Sequence, residues 1–144
     1  MRVLTDPLGW FTLEVPEGWS QESEDCVTVL RRPPGSGIVY LSGGRHAGGR
    51  QTGFGGADFL GRFLRSLGLD VEDASIESRQ GVGCSIYYYE RRDPEAFWRY
   101  WSVTDEETAL LISYTCEPDD AARDAHDVDG IVGSVRLFHS APVH

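Results

Sequence analysis

Residues 96–116 read AFWRYWSVTDEETALLISYTC, and this stretch decides the fold. In its first half Phe97, Arg99, Trp101 and Val103 alternate with Trp98, Tyr100 and Ser102. In its second half Leu110, Ile112, Tyr114 and Cys116 alternate with Leu111, Ser113 and Thr115. Successive side chains of a strand point to opposite faces, so these are two strands joined by an acidic turn at residues 104–108. Both carry apolar residues on both faces, and such strands must be covered on both faces. The hairpin is therefore expected at the centre of a sheet with a layer on each side.

The neighbouring segments extend that sheet. Residues 82–92 predict another strand, with Cys84, Ile86 and Tyr88 alternating with Ser85, Tyr87 and Tyr89. Asp93-Pro94-Glu95 connects it to the hairpin, and a short strand at 74–78 completes an antiparallel meander. After the hairpin, Glu117-Pro118-Asp119-Asp120 reads as a helix start, because proline suits the first helical position and carboxylates favour the positive end of the dipole. Ala121, Ala125, Val128, Ile131, Val132 and Val135 form the buried stripe of that helix, and the tail 138–144 is expected to be loose.

Toward the N-terminus, residues 57–67 predict another helix. Phe59, Leu60, Phe63, Leu64 and Leu67 form its apolar stripe, Arg62 and Arg65 face away, and Gly68 stops it. Residues 43–56, GGRHAGGRQTGFGG, read as a loop. Strands are expected at 11–15, 25–32 and 38–42. Pro16-Glu17-Gly18 turns the chain so that Trp19 folds back onto the sheet edge, and Pro33-Pro34-Gly35-Ser36-Gly37 closes a hairpin. The chain of 144 residues reads as one domain, 1–144, without repeats or linkers.

This order of elements resembles the PsbP-like fold, which is shared with the Mog-type nuclear import factor that binds the GTPase Ran and with small bacterial proteins. The resemblance rests on FTLEVPEGW at 11–19, which looks like the family's opening strand and proline–glycine–tryptophan turn. GIVYLS at 37–42 is similar to its third strand, and residues 110–114 and 117–135 to its last strand and closing helix. It implies an α+β fold, with an antiparallel six- to seven-stranded sheet and helices packed on both faces. It implies no shared enzyme activity, and no functional residue of the family maps onto a position here. Ran binding calls for a eukaryotic context that the composition does not suggest. The photosystem role calls for a targeting segment that the first residues do not show.

The net charge of −10 argues against nucleic acid, since phosphate binding relies on neutralising cations. All basic residues are arginine, as codon bias in a GC-rich bacterial genome would give, and the absence of lysine removes Schiff-base chemistry. Residues 31–65 hold six arginines, at 31, 32, 45, 50, 62 and 65, against Asp58 alone, while residues 66–144 hold six against sixteen acids. That division is either solvated surface with internal pairing or a pair of complementary faces that steers a partner or a second copy. No run of about 18 apolar residues spans a membrane. Cys26, Cys84 and Cys116 sit in apparent strands without close spacing, and read as reduced core thiols of a cytoplasmic protein.

Chemistry has few footholds. The glycine loop lacks the lysine and the Ser/Thr of a phosphate-binding loop, which leaves Arg45 and Arg50 as an anion or partner contact. Asp127-Val128-Asp129-Gly130 resembles part of a calcium loop, but positions 1 and 12 would be Ala125 and Arg136. Asp120, Asp124 and Asp127 share one helix face near His126 and read as a solvated acidic surface rather than a metal site. No cysteine or serine has a base that the sequence can place beside it, so neither catalytic residues nor a cofactor are expected. Tyr87, Tyr89, Trp98 and Tyr100 line one sheet face, either as core under a helix or as a partly exposed platform for a partner or apolar ligand. These features predict a non-enzymatic protein-interaction module, of adaptor, chaperone-like or immunity type, as a monomer or homodimer. The alternative is a small-ligand binder using the aromatic face and the Arg45/Arg50 loop.

Overall fold

The structure is a computed structural model that describes residues 1–25, 27–45 and 56–138. Among the described residues ten strands and two α-helices follow one another as β1 (Arg2–Thr5), β2 (Phe11–Val15), β3 (Ser20–Glu24), β4 (Val27–Arg31), β5 (Ile38–Arg45), α1 (Gly56–Ser66), β6 (Glu77–Gln80), β7 (Ser85–Arg92), β8 (Phe97–Thr104), β9 (Thr108–Cys116), α2 (Ala121–Gly133) and β10 (Arg136–Leu137). Seven of the strands form one antiparallel sheet in the order β3-β4-β5-β9-β8-β7-β6. The quoted hairpin, β8 and β9, lies inside it, with Trp101 opposite Ile112 and Val103 opposite Leu110. A second, three-stranded sheet has the order β1-β2-β10.

Each face of the large sheet has its own core, as the two-faced hairpin requires. On one face Phe97, Trp101, Val103, Leu110, Ile112 and Tyr114 pack with Val128, Ile131 and Val132 of α2 and with Phe11, Leu13 and Val15 of β2. On the other, Tyr100 packs with Leu60 and Leu64 of α1 and with Val71 and Ile76. The architecture is thus the α+β fold expected, with helices on both faces.

Several details differ from the sequence reading. The strand at 11–15 belongs to the small sheet, because its apolar face closes over the large sheet instead of extending it. One outer strand of the large sheet is β3, whose residues SQESE are all exposed and have no alternation to betray them. A charged, polar edge of this kind resists strand addition. Trp19 lies in the core and not on a sheet edge, and its Nε1 donates to Asp127 at 3.0 Å. Residues 43–45 continue β5 opposite Thr108–Leu110 where a loop was expected. Gly43 belongs there because a Cβ would stand 3.2 Å from the Phe11 ring. Gly56 opens α1, and residues 46–55 lie outside the described residues, as do Cys26 and 139–144. The strand expected at 74–78 is a 3-10 turn (Asp73–Ser75) followed by β6. Leu67, expected in the stripe of α1, is exposed beyond its last turn. The end of the described chain is tied down, since β10 pairs with β2 and the Phe138 N–H donates to the Trp10 carbonyl at 2.9 Å.

The acidic face of α2 is the largest correction. Asp124 is fully buried. Its carboxylate accepts the Tyr114 hydroxyl at 2.7 Å and Arg32 Nη1 at 3.2 Å. Asp120 accepts Ser36 N–H and O–H, which hold its carboxyl below the usual range, and Asp127 takes the Trp19 indole. These aspartates fasten the β4–β5 turn to α2. The turn's backbone must pass close by, for a Cβ at Gly37 would clash with Asp124 Oδ2 and lie 3.2 Å from the Tyr114 ring. Gly37→Ala is therefore expected to destabilise the fold by about 1–3 kcal/mol through overpacking, read as a lowered denaturation midpoint with unchanged slope.

Candidate functional site

Arg99 stands in the apolar face of β8, between Phe97 and Trp101, and a cation there needs partners. It finds them across the edge of α2. Its Nε–H donates to the Tyr88 hydroxyl at 2.8 Å, and one Nη donates to Asp129 of α2 at 2.8 Å. Its guanidinium carbon lies 4.6 Å from the Trp101 ring centroid and 5.1 Å from that of Tyr88. Those two rings meet at 5.3 Å. The Tyr88 hydroxyl in turn donates to Glu90 at 2.6 Å, and Arg92 reaches the same carboxylate at 3.4 Å.

This cation occupies an open groove between α2 and the outer strands. One part, about 460 Å³, has Ile86, Tyr88, Arg99 and Trp101 as its floor. Glu77 and Arg79 of β6 form one wall, with Asp129 and Gly133 of α2 as the other. The register sets Glu77 opposite Tyr88 and Arg79 opposite Ile86, so the wall and floor residues share a face. A second part, about 310 Å³, continues past Arg99 toward Phe97, Ala121, Ala122 and Ala125. The Arg99–Asp129 pair bridges the groove where the two parts meet. The Arg99 side chain is only 16% exposed, whereas that of Asp129 is 59% exposed.

Of the groove groups, Tyr88 and Arg99 both hold their protons at neutral pH. Burial, and then the hydrogen bond to Glu90, push Tyr88 up to about 12, so its phenol keeps its proton at neutral pH. Burial also raises the Cys84 and Cys116 thiols, which disfavours thiolate. Burial alone would lower the Arg99 guanidinium; its bonds to Tyr88 and Asp129 outweigh that and hold it up. Among the described residues no cluster of His, Cys, Asp and Glu could hold a metal ion.

The raised phenols set an alkaline limit. A phenol ordinarily titrates near 10, and folded Tyr88 near 12, so the folded state holds this proton more tightly. The resulting stability is complete below 10 and falls as pH rises from 10 to about 12. Tyr100 and Tyr114, raised chiefly by burial, act in the same direction. The guanidinium midpoint should drop between about pH 9 and pH 11.5, and drop less in Tyr88→Phe. Equal drops in the two proteins would contradict this role of Tyr88.

The residues singled out from the sequence lie elsewhere. Tyr87, Tyr89, Trp98 and Tyr100 do share one sheet face, with Trp98 and Tyr100 stacked at 6.1 Å. They lie with the core under α1, where Tyr100 is buried and the other three are half-buried. Arg45 ends β5 opposite Thr108, and Arg50 lies outside the described residues. Tyr88 and Arg99 were not singled out, and Asp129 was weighed only as part of a calcium-loop motif that failed at both ends. The available signal was Arg99 itself, the one charge in the apolar stripe Phe97, Trp101, Val103.

No family model matches this chain, and no curated protein matches it. Solved structures do. One is the cyanobacterial PsbP (CyanoP) of Synechocystis, with a TM-score of 0.70 at 16% identity, over 95% of this chain and 92% of that one. Another is a protein of Bacteroides thetaiotaomicron, with a TM-score of 0.71 at 14% identity over 96% of this chain. The match spans only 49% of that protein's length. At these identities the likeness shows the fold, which is PsbP-like.

Proposed function

We propose that this PsbP-like domain is a non-enzymatic protein-interaction module, and that the groove beside α2 takes the partner. The observation that carries this reading is Arg99, held at mid-groove against the Trp101 and Tyr88 rings. Arginine and aromatic residues in a partly desolvated groove are the side chains on which protein interfaces concentrate their binding energy. Long-range steering favours a partner with a neutral or basic approach surface, because the chain carries −10. The arginine-rich segment is a poor source of a complementary basic face. Arg32 is spent on Asp124 and Asp127, Arg62 pairs with Asp58, and Arg65 pairs with Asp73. We place the protein in the cytoplasm, in keeping with its buried free thiols Cys84 and Cys116. No helix among the described residues is long and apolar enough to cross a membrane.

The test is a pull-down from host lysate with the wild-type protein and with Arg79→Glu, a charge reversal on the exposed groove wall. A near-stoichiometric protein retained by the wild type and lost from the variant is the expected result. Equal retention by both would remove the groove from the interface. The 460 Å³ part also falls in the size range of small-molecule sites, which favours a small-ligand binder as the second reading. On that reading one compound raises the melting temperature by mass action, and no protein is retained.

A further inference from the structure

We propose that Arg99 is a carboxylate receptor and Asp129 its built-in competitor, so that the groove binds the carboxylate of an apolar-bodied ligand in exchange for Asp129. This rests on the reading of the groove as a binding surface. Three observations point to it. First, the guanidinium is fixed and not fully used. Its Nε and one Nη are engaged by Tyr88 and Asp129. The other Nη has no hydrogen-bond partner among the described residues and is not a buried orphan, so it faces solvent in the groove. A planar fork with a spare donor suits two-point contact with a carboxylate.

Second, the present occupant is itself a carboxylate and the more exposed partner. The Asp129 side chain is 59% exposed against 16% for Arg99, so water takes up the freed carboxylate and offsets part of the lost pair. It can turn into water while Arg99, stacked on Trp101, stays in place. Third, the surroundings fit one negative charge on an apolar body. Ile86, Tyr88 and Trp101 supply an apolar floor beside the guanidinium. Arg79, which has no ion pair among the described residues, stands on the far wall. Two cations, Arg79 and Arg99, face two anions, Glu77 and Asp129. Displacing Asp129 leaves room for a monoanion, whereas a dianion would bring surplus negative charge to a chain already at −10.

The carboxylate can come from a free organic acid or from the C-terminus of a partner chain. The probes are 3-phenylpropionate and N-acetyl-Leu-Phe, each beside its neutral amide, titrated calorimetrically into wild type, Arg99→Gln and Asp129→Asn. Both acids should bind wild type and both amides should fail. Arg99→Gln should weaken acid binding by about tenfold or more. Asp129→Asn should tighten it by about two- to fivefold, because the competitor is gone. A purely structural Asp129 would give the opposite sign, and this surface substitution remains informative if Arg99→Gln fails to fold. The tighter of the two acids identifies the source. Equal binding of acids and amides, no acid binding to Asp129→Asn, or weaker or unchanged binding there would each overturn the proposal. Acid binding without any retained protein would leave this site standing and remove the protein-interaction reading. Retention of a partner with no acid binding to wild type would overturn this site and leave the protein-interaction reading standing.

Discussion

Asp124→Ala is expected to lower stability by about 3 kcal/mol, the lower end of the range for breaking a buried ion pair. The carboxylate is fully buried, and the substitution strands two donors. Tyr114 would keep a buried hydroxyl with no acceptor, at a cost of about 1–3 kcal/mol. Arg32 would lose its buried partner, but its side chain is 30% exposed and water recovers part of that loss. Asp124→Asn should cost less, since it keeps an acceptor for Tyr114 and a similar shape. Chemical denaturation of both variants checks this, and equal losses would mean that the charge, not the retained acceptor for Tyr114, is what matters.

Leu64→Ala is expected to cost about 2–5 kcal/mol, and its effect should appear in a different place. Leu64 is fully buried on α1 and belongs to the smaller core with Leu60, Val71, Ile76 and Tyr100. A chain of this length loses about 2–4 °C of melting temperature per kcal/mol, so the shift is easily measured. Tyr87, Tyr89 and Trp98 lie at the rim of the same core, and their near-ultraviolet circular dichroism should weaken with it. Loss of stability with an unaltered aromatic signal would mean that α1 does not order that face.

The central hairpin was legible in the sequence because its signal is local. Alternation along residues 97–103 and 110–116 gives both the strands and the need for two covering layers. The meander and both helices follow from similarly local patterns. What was hidden depends on contacts distant in sequence. β3 has no apolar alternation, and only its pairing with β4 makes it a strand. The glycines at 43 and 44 looked like a loop, but β9 supplies the ladder that keeps them extended. Asp124 looked like one of three solvated acids. Arg32, 92 residues away, and Tyr114 on the sheet make it a core group. The groove has the same character. Tyr88, Arg99 and Asp129 come from β7, β8 and α2, and only the packing of α2 across β8 brings them together. Arg99 was nevertheless visible as a charge in an apolar stripe, and a charge there always raises the question of its partner.

The proposed partner site in the groove beside α2 is tested by the dissociation constant of the captured partner for wild type, Arg79→Glu and Arg62→Glu. The last is a matched charge reversal on α1, across the sheet from the groove. A loss of about tenfold or more in Arg79→Glu, with Arg62→Glu within about twofold of wild type, is the predicted result. Equal affinities for all three, or a loss confined to Arg62→Glu, would contradict it and move the interface to the α1 face.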